Sequence, residues 1–152
     1  MSIFDKFNQK MDKQALAQQI ADAKANQPKQ LVDGTYDCVL DVFEVKTDKD
    51  VFMVHCQFKV IEGECKGSLI HRSFKCSGTK NDGFMIYQAN RFINQLQPSE
   101  ELVWHSDYER YNNDILDIAE ELCGKVGAEI TVKTNAKNPK YKDIEIVQVY
   151  DM

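Results

Sequence analysis

Phe52-Met53-Val54-His55-Cys56-Gln57-Phe58-Lys59-Val60 is the stretch that decides the fold class of this sequence. Phe52, Val54, Cys56, Phe58 and Val60 fall at every second position, with Met53, His55, Gln57 and Lys59 between them. Successive side chains of an extended chain point to opposite faces, so this pattern predicts a strand with one buried and one solvated face. On its N-terminal side Thr47-Asp48-Lys49-Asp50 reads as a turn. On its C-terminal side Glu62-Gly63-Glu64-Cys65-Lys66-Gly67 reads as a glycine-bounded turn. Further upstream, Asp33-Gly34 opens an alternating run with Tyr36, Cys38, Leu40 and Val42 on one face and Asp37 and Asp41 on the other. Phe43 and Val45 break the alternation, as expected of a long strand that bends. Ser68 to Lys75 supplies a third strand and completes a meander.

Beyond the meander the period changes. Phe84 to Leu96 reads as a helix with Ile86, Ala89, Phe92, Ile93 and Leu96 on one face. A second helix is predicted from about Asn113 to Cys123, with Ile115, Ile118, Ala119 and Leu122 as its apolar face and Gly124 as its stop. Ala128 to Thr134 and Lys142 to Tyr150 are the last two strands. Ahead of the body, Ser2-Ile3-Phe4-Asp5 fits a capping box, Phe4, Phe7 and Met11 form a stripe, and Asp12 to Asn26 is helical before Pro28. The expected organisation is therefore a helical arm over residues 1–30 and an α+β, mainly β domain over residues 31–152. Its order, β-β-β-α-α-β-β, is that of a five-stranded OB-fold-like barrel, a scaffold that binds oligonucleotides across strands two and three and the adjoining loops.

The chain has 152 residues, 43% of them hydrophobic and 28% charged, an ordinary globular composition. No apolar run approaches the roughly 20 residues that span a bilayer, and residues 1–6 lack the features of a signal peptide, so a cytoplasmic protein is expected. Five cysteines without a close pair suit a reducing compartment. The formal charge of -5 argues against a nucleic-acid binder until its distribution is considered. Residues 66–80 carry Lys66, Arg72, Lys75 and Lys80 without an acid, and residues 125–142 carry five lysines against Glu129. Between them, residues 100–121 hold eight acids against Arg110.

Ser2-Ile3-Phe4-Asp5-Lys6-Phe7, the Asp-Gly step in Val32-Asp33-Gly34-Thr35-Tyr36, and the turn Glu62 to Gly67 closing on Lys66-Gly67 resemble stretches of a phage and prophage family labelled as single-stranded DNA-binding proteins and long catalogued as a domain of unknown function. Leu116-Asp117-Ile118 with Gly124 adds a fourth match before the last hairpin. The resemblance implies binding of single-stranded DNA in phage recombination or replication, with a phage recombinase or other replication protein as partner. Bacterial single-strand binding proteins carry an acidic C-terminal tail. Here residues 144–152 read as a strand, with Asp151 the only acid after Glu145, which puts tail-mediated recruitment in doubt.

The residues themselves supply the chemistry that single-strand binding needs, cations along the phosphates and rings on which bases stack. Lys133, Lys137, Lys140 and Lys142 surround Tyr141 in the final hairpin, where a solvated lysine turn is the plain alternative. On strand three, His71 and Lys75 face the ligand beside His55 and Met53 if Ile70 and Phe74 are core. Otherwise Phe74 stacks on a base and Arg72 grips phosphate. Burial preference favours Phe74 as core. Lys80, in Ser77-Gly78-Thr79-Lys80, is a useful cation in a loop that lacks the spacing of a phosphate loop. Trp104 is expected to pack a loop against the barrel, with stacking as the alternative.

No enzyme, cofactor or metal is expected. A zinc set drawn from Cys56, Cys65, His71 and Cys76 lacks the paired spacing of structural sites. Asp33 with Glu44 and Lys46 mimics a nuclease signature, but its carboxylates sit at the two ends of one strand. The competing class is an interaction protein that binds a host or phage protein through its acidic helix or its arm. The Phe4, Phe7 and Met11 stripe fits either self-docking or a homodimer.

Overall fold

In the computed structural model the meander forms as the alternation dictates. The structure describes residues 13–25 and 31–152. The arm's Phe4, Phe7 and Met11 stripe and its capping box lie outside the described residues. Within the arm, α1 spans Lys13–Ala25, and the side chains of residues 15–22 are exposed.

The strands are β1 (Gly34–Asp48), β2 (Val51–Val60) and β3 (Leu69–Cys76), followed by helices α2 (Asp82–Asn94) and α3 (Tyr108–Leu122) and then β4 (Val126–Thr134) and β5 (Lys142–Asp151). All neighbours pair antiparallel, in the order β3-β2-β1-β4-β5. Strand β1 is long enough to serve two partners, its N-terminal part pairing with β4 and the rest with β2. It bends at a bulge between Leu40 and Val42. The extra residue reverses the facing of the residues beyond it. Leu40 and Phe43 therefore both reach the core, and Val42, expected beside Leu40, pairs with Gln57 on the opposite face.

The inner face of the sheet carries Cys38, Leu40, Phe43, Val54, Cys56, Phe58, Ile70, Phe74, Ala128 and Ile130, all buried. Helices α2 and α3 cover it. The Phe92 ring of α2 lies 6.1 Å from Phe58 and 5.9 Å from Phe74, centroid to centroid. Tyr111 of α3, fully buried, donates its hydroxyl to Asn90 Oδ1 at 2.6 Å and ties the helices together. Helix α3 starts five residues earlier than the apolar spacing predicts. Asp107 caps it, its Oδ1 accepting from the backbone N–H of Glu109 and Arg110. Its end is as expected: Gly124 takes a positive φ of 76° and donates to the Leu40 carbonyl at 2.7 Å.

The expected α+β order of five strands and two connecting helices is present as one antiparallel sheet, with β3 and β5 at its edges and no register pair joining these edges among the described residues. The inner face reaches its burial under two helices, so the sheet does not have to close upon itself to hide its apolar residues.

Candidate functional site

The bulge and the register that bury one face of β1, β2 and β3 determine what the other face displays. Opposite Glu44 on β1 stands His55 on β2, and opposite His55 stands Ser73 on β3. One row further along, Lys46, Met53 and Lys75 align, and on the other side Val42, Gln57 and His71 align. The open face thus concentrates two imidazoles, two lysines and small polar groups on three adjacent strands.

His55 is the centre of this patch. It is only 8% exposed although it lies on the face opposite the helices. Its Nδ1 is 3.0 Å from Ser73 Oγ, and its ring stacks with that of His71 at 5.3 Å and 24°. Burial, then the nearby Lys46 and His71 charges, holds its imidazole below the usual histidine range, with Glu44 opposing them. Lys46 in turn pairs with Glu44 at 3.7 Å. Gln57 donates to Asp41 at 2.8 Å across the bulge. His71 and Lys75 stay exposed.

Of the two alternatives open for strand three, the structure takes the first. Ile70, Phe74 and Cys76 are buried on the inner face, and the Arg72 guanidinium lies 4.6 Å from the Phe74 ring centre on that same side. Arg72 is therefore separated from His71 and Lys75 by the sheet. Lys80 is exposed in the loop before α2, where the Asp82 carboxylate gathers the N–H groups of Ser77 and Gly78 and the Thr79 hydroxyl.

The final hairpin is a second site. Asn135 Oδ1 accepts from the N–H groups of Lys137 and Asn138, and its amide donates to both Asp143 oxygens, which fixes the loop. Lys133, Lys137 and Lys140 project exposed from it, and Tyr141 is 65% exposed. Lys142 is different. Its ammonium is bound to Asp33 at 2.9 Å and to Thr134 Oγ1 at 2.8 Å, and the bond from Lys142, together with those that Thr134 donates to Asp33, lowers the Asp33 carboxyl to about 2. The charge of Lys142 is thus already matched within the chain.

These two basic regions do not adjoin in the sheet. The strand-three residues lie on one edge strand and the hairpin joins β4 to the other edge strand. Along β1, Lys75 is level with Lys46, whereas the hairpin lies beyond Gly34. The outer face between them is acidic, with Asp37 opposite Glu129 and Glu129 opposite Gln148.

The weaker motifs dissolve in the geometry. Cys76 faces inward and His71 outward, so they do not converge on a metal. Asp33 is taken by Lys142, and Glu44 pairs with Lys46 further along β1. Burial raises the Cys38 thiol to about 12 and pushes Cys56 up as well, which leaves them as inert core thiols. Sequence reasoning missed Ser73, Glu44, Lys46, Gln57 and Asp41 as members of the His55 patch. Only the bulge and register bring them there. The chain matches no protein-family model, and no curated protein matches it either.

Proposed function

We propose that this chain binds single-stranded DNA, largely without regard to sequence, through the open face of β1, β2 and β3 and the basic final hairpin. The observation that carries the reading is that face: no helix or strand among the described residues packs on it, it offers exposed His71 and Lys75 around a pre-packed His55, and the opposite face supplies the core. Lysines follow phosphates through charge alone, and exposed rings such as Tyr141 accept any base. The strand order is that of an OB-fold opened between its third and fifth strands, and that scaffold presents oligonucleotides to the same two strands and to the β4–β5 loop. In this reading the acidic rows of β4 and β1 steer the strand away from the middle of the sheet, and the protein holds single strands for phage recombination or replication.

The test is direct. Anisotropy of a fluorescent oligo-dT should report binding at low salt, and joint replacement His71→Ala/Lys75→Ala should weaken it about ten-fold with no change in the urea midpoint. Unchanged affinity in that variant would remove the β2–β3 face from the reading.

A second reading, docking of a host or phage protein on α3, is favoured by one observation. Glu100, Glu101, Asp114, Asp117 and Glu121 line a single cavity of about 470 Å³ with His105 and Arg110. A basic partner surface suits that chemistry, and pull-down lost on Asp114→Lys/Asp117→Lys but not on His71→Ala would separate it from the first reading.

A further inference from the structure

Fixed charge on the outer face of β1, β2 and β3 is close to balanced while its imidazoles are neutral. Strands β2 and β3 contribute exposed Lys59 and Lys75, and β1 contributes Lys46. Against them β1 sets Glu44 opposite His55, Asp48 opposite Val51, and Asp41 at the bulge, where it accepts from Gln57. Lys46 is moreover engaged by Glu44 at 3.7 Å. A phosphate backbone approaching this face therefore meets little net attraction from the lysines once the acids are counted. A proton on an imidazole adds a whole positive charge at the centre of the face, and histidine is the side chain that gains one close to neutral pH.

The two histidines act on each other. His55 of β2 and His71 of β3 stack at 5.3 Å and 24°, and Ser73 Oγ lies 3.0 Å from His55 Nδ1. From β1, Glu44 and Lys46 face His55, and from β3 the charged groups are His71 and Lys75. Along β2 its outward neighbours are Met53 and Gln57, with Lys59 beyond. The helices pack on the other side of the sheet and bring no charge to this one.

Protons on both rings would place like charges 5.3 Å apart, between Lys46 and Lys75 and with His55 largely out of water. The doubly charged pair is thus unfavourable in the free protein, and the direction in which His55 is held, below the usual histidine range, has the same causes. A phosphate over the pair opposes that repulsion, because it is a counter-charge to both rings and to both lysines at once. A ligand that prefers the charged form of a group draws protons onto the protein as it binds, and its affinity then falls as the pH rises.

We propose that strand binding at this face is coupled to protonation of the His55–His71 pair, so that single strands are held more tightly at mildly acidic pH and released toward alkaline pH. The proposal rests on the single-strand reading above and adds its regulation.

The chain has three histidines, and the third, His105, lines the acidic cavity beside α3, so substitution assigns the effect. Anisotropy of labelled oligo-dT is measured with the intact chain from about pH 8 to about pH 6 at constant low ionic strength, a window in which carboxylates and lysines keep their charge. One coupled proton changes affinity by at most about ten-fold per pH unit, so a gain of about ten-fold across the window is expected. His71→Gln, which keeps polar bulk at an exposed position, should lose most of that gain, and His105→Gln should keep it. Titration calorimetry in buffers of unlike ionisation enthalpy reads the proton directly, with uptake on binding expected for the parent and diminished in His71→Gln. Affinity that is flat across the window, with binding intact and no proton taken up, would overturn the coupling while the DNA-binding reading stands. A gain that survives in His71→Gln and vanishes in His105→Gln would also overturn it. No anisotropy change at any pH would overturn both.

Discussion

The outer face of the sheet has two halves that differ in chemistry though not in construction. Over β2 and β3 it carries His55, His71, Lys59 and Lys75, with Lys46 beside them on β1. Over β4 and β5 it carries Glu129, Glu145 and Asp143, the last opposite Lys133, with Asp37 beside them on β1 and Tyr150 lying across Gly127. Both halves are antiparallel pairs with one face in the same core. The difference teaches that the core fixes which residues are displayed but not what they are for. The basic half has a buried, hydrogen-bonded imidazole at its centre, an investment that a mere solvated face does not require. The acidic half is organised around packing, with an aromatic ring covering a glycine.

The largest expected effect tests that contrast at Gly127. A methyl group there would collide with the Tyr150 ring, so Gly127→Ala should destabilise the fold by about 1–3 kcal/mol, the cost of overpacking. Urea denaturation measures it, and Gly127→Ala/Tyr150→Ala should recover most of the loss while DNA affinity stays unchanged. A failure of the second substitution to rescue the first would mean that the ring does not define this half.

A smaller effect is expected at His55. Its folded-state affinity for a proton is lowered from the ordinary value of 6.5, chiefly by burial. The unfolded chain therefore binds more protons, so the contribution of this residue favours folding above that value and is lost as the pH falls below it. The urea midpoint of the parent should fall relative to His55→Gln between pH 7.5 and pH 5. Parallel pH profiles would show that His55 is not held neutral by the patch.

The smallest effect belongs to the exposed pair of Asp33 with Lys142. The Asp33 carboxyl is lowered from 3.8 to about 2 by hydrogen bonds from Lys142 and Thr134. Its contribution is complete above the unfolded value and disappears as the pH falls through the folded one. Asp33→Asn should thus lower the urea midpoint slightly at pH 5 and not at all near pH 1.5. It should also free Lys142 and tighten DNA binding a little, because a cation of the hairpin is then no longer matched.

Much of the fold was legible because its signals are periodic and local. The alternation from Phe52 to Val60 gave β2, the break at Phe43 gave the bend of β1, and Gly124 gave the end of α3. Tyr111 was missed because α3 begins with polar and aromatic residues whose burial depends on Asn90 of another helix. Closure into a barrel was not legible either. It depends on whether helices or strands cover the last open edge, and no single segment encodes that choice. The site was readable only in part. His71 and Lys75 followed from the pleat once Phe74 was core, but the fate of Lys142 depends on Asp33, 109 residues away. The clustering of Glu44 and Lys46 with His55 requires the inter-strand register, and the distance between the two basic regions requires the strand order. Neither is written in any local pattern.

The central claim is that lysines and rings on this scaffold neutralise and stack a single strand. Anisotropy of labelled oligo-dT across a salt series, with duplex as control, tests it most directly. Each phosphate neutralised on a single strand contributes about -0.7 to the slope of log affinity against log salt. The account predicts a slope of roughly -2 to -4, weak duplex binding, and a slope shallower by about 1.4 in Lys137→Ala/Lys140→Ala, where two phosphate contacts are lost. No binding at low salt, or duplex bound as tightly as the single strand, would contradict it.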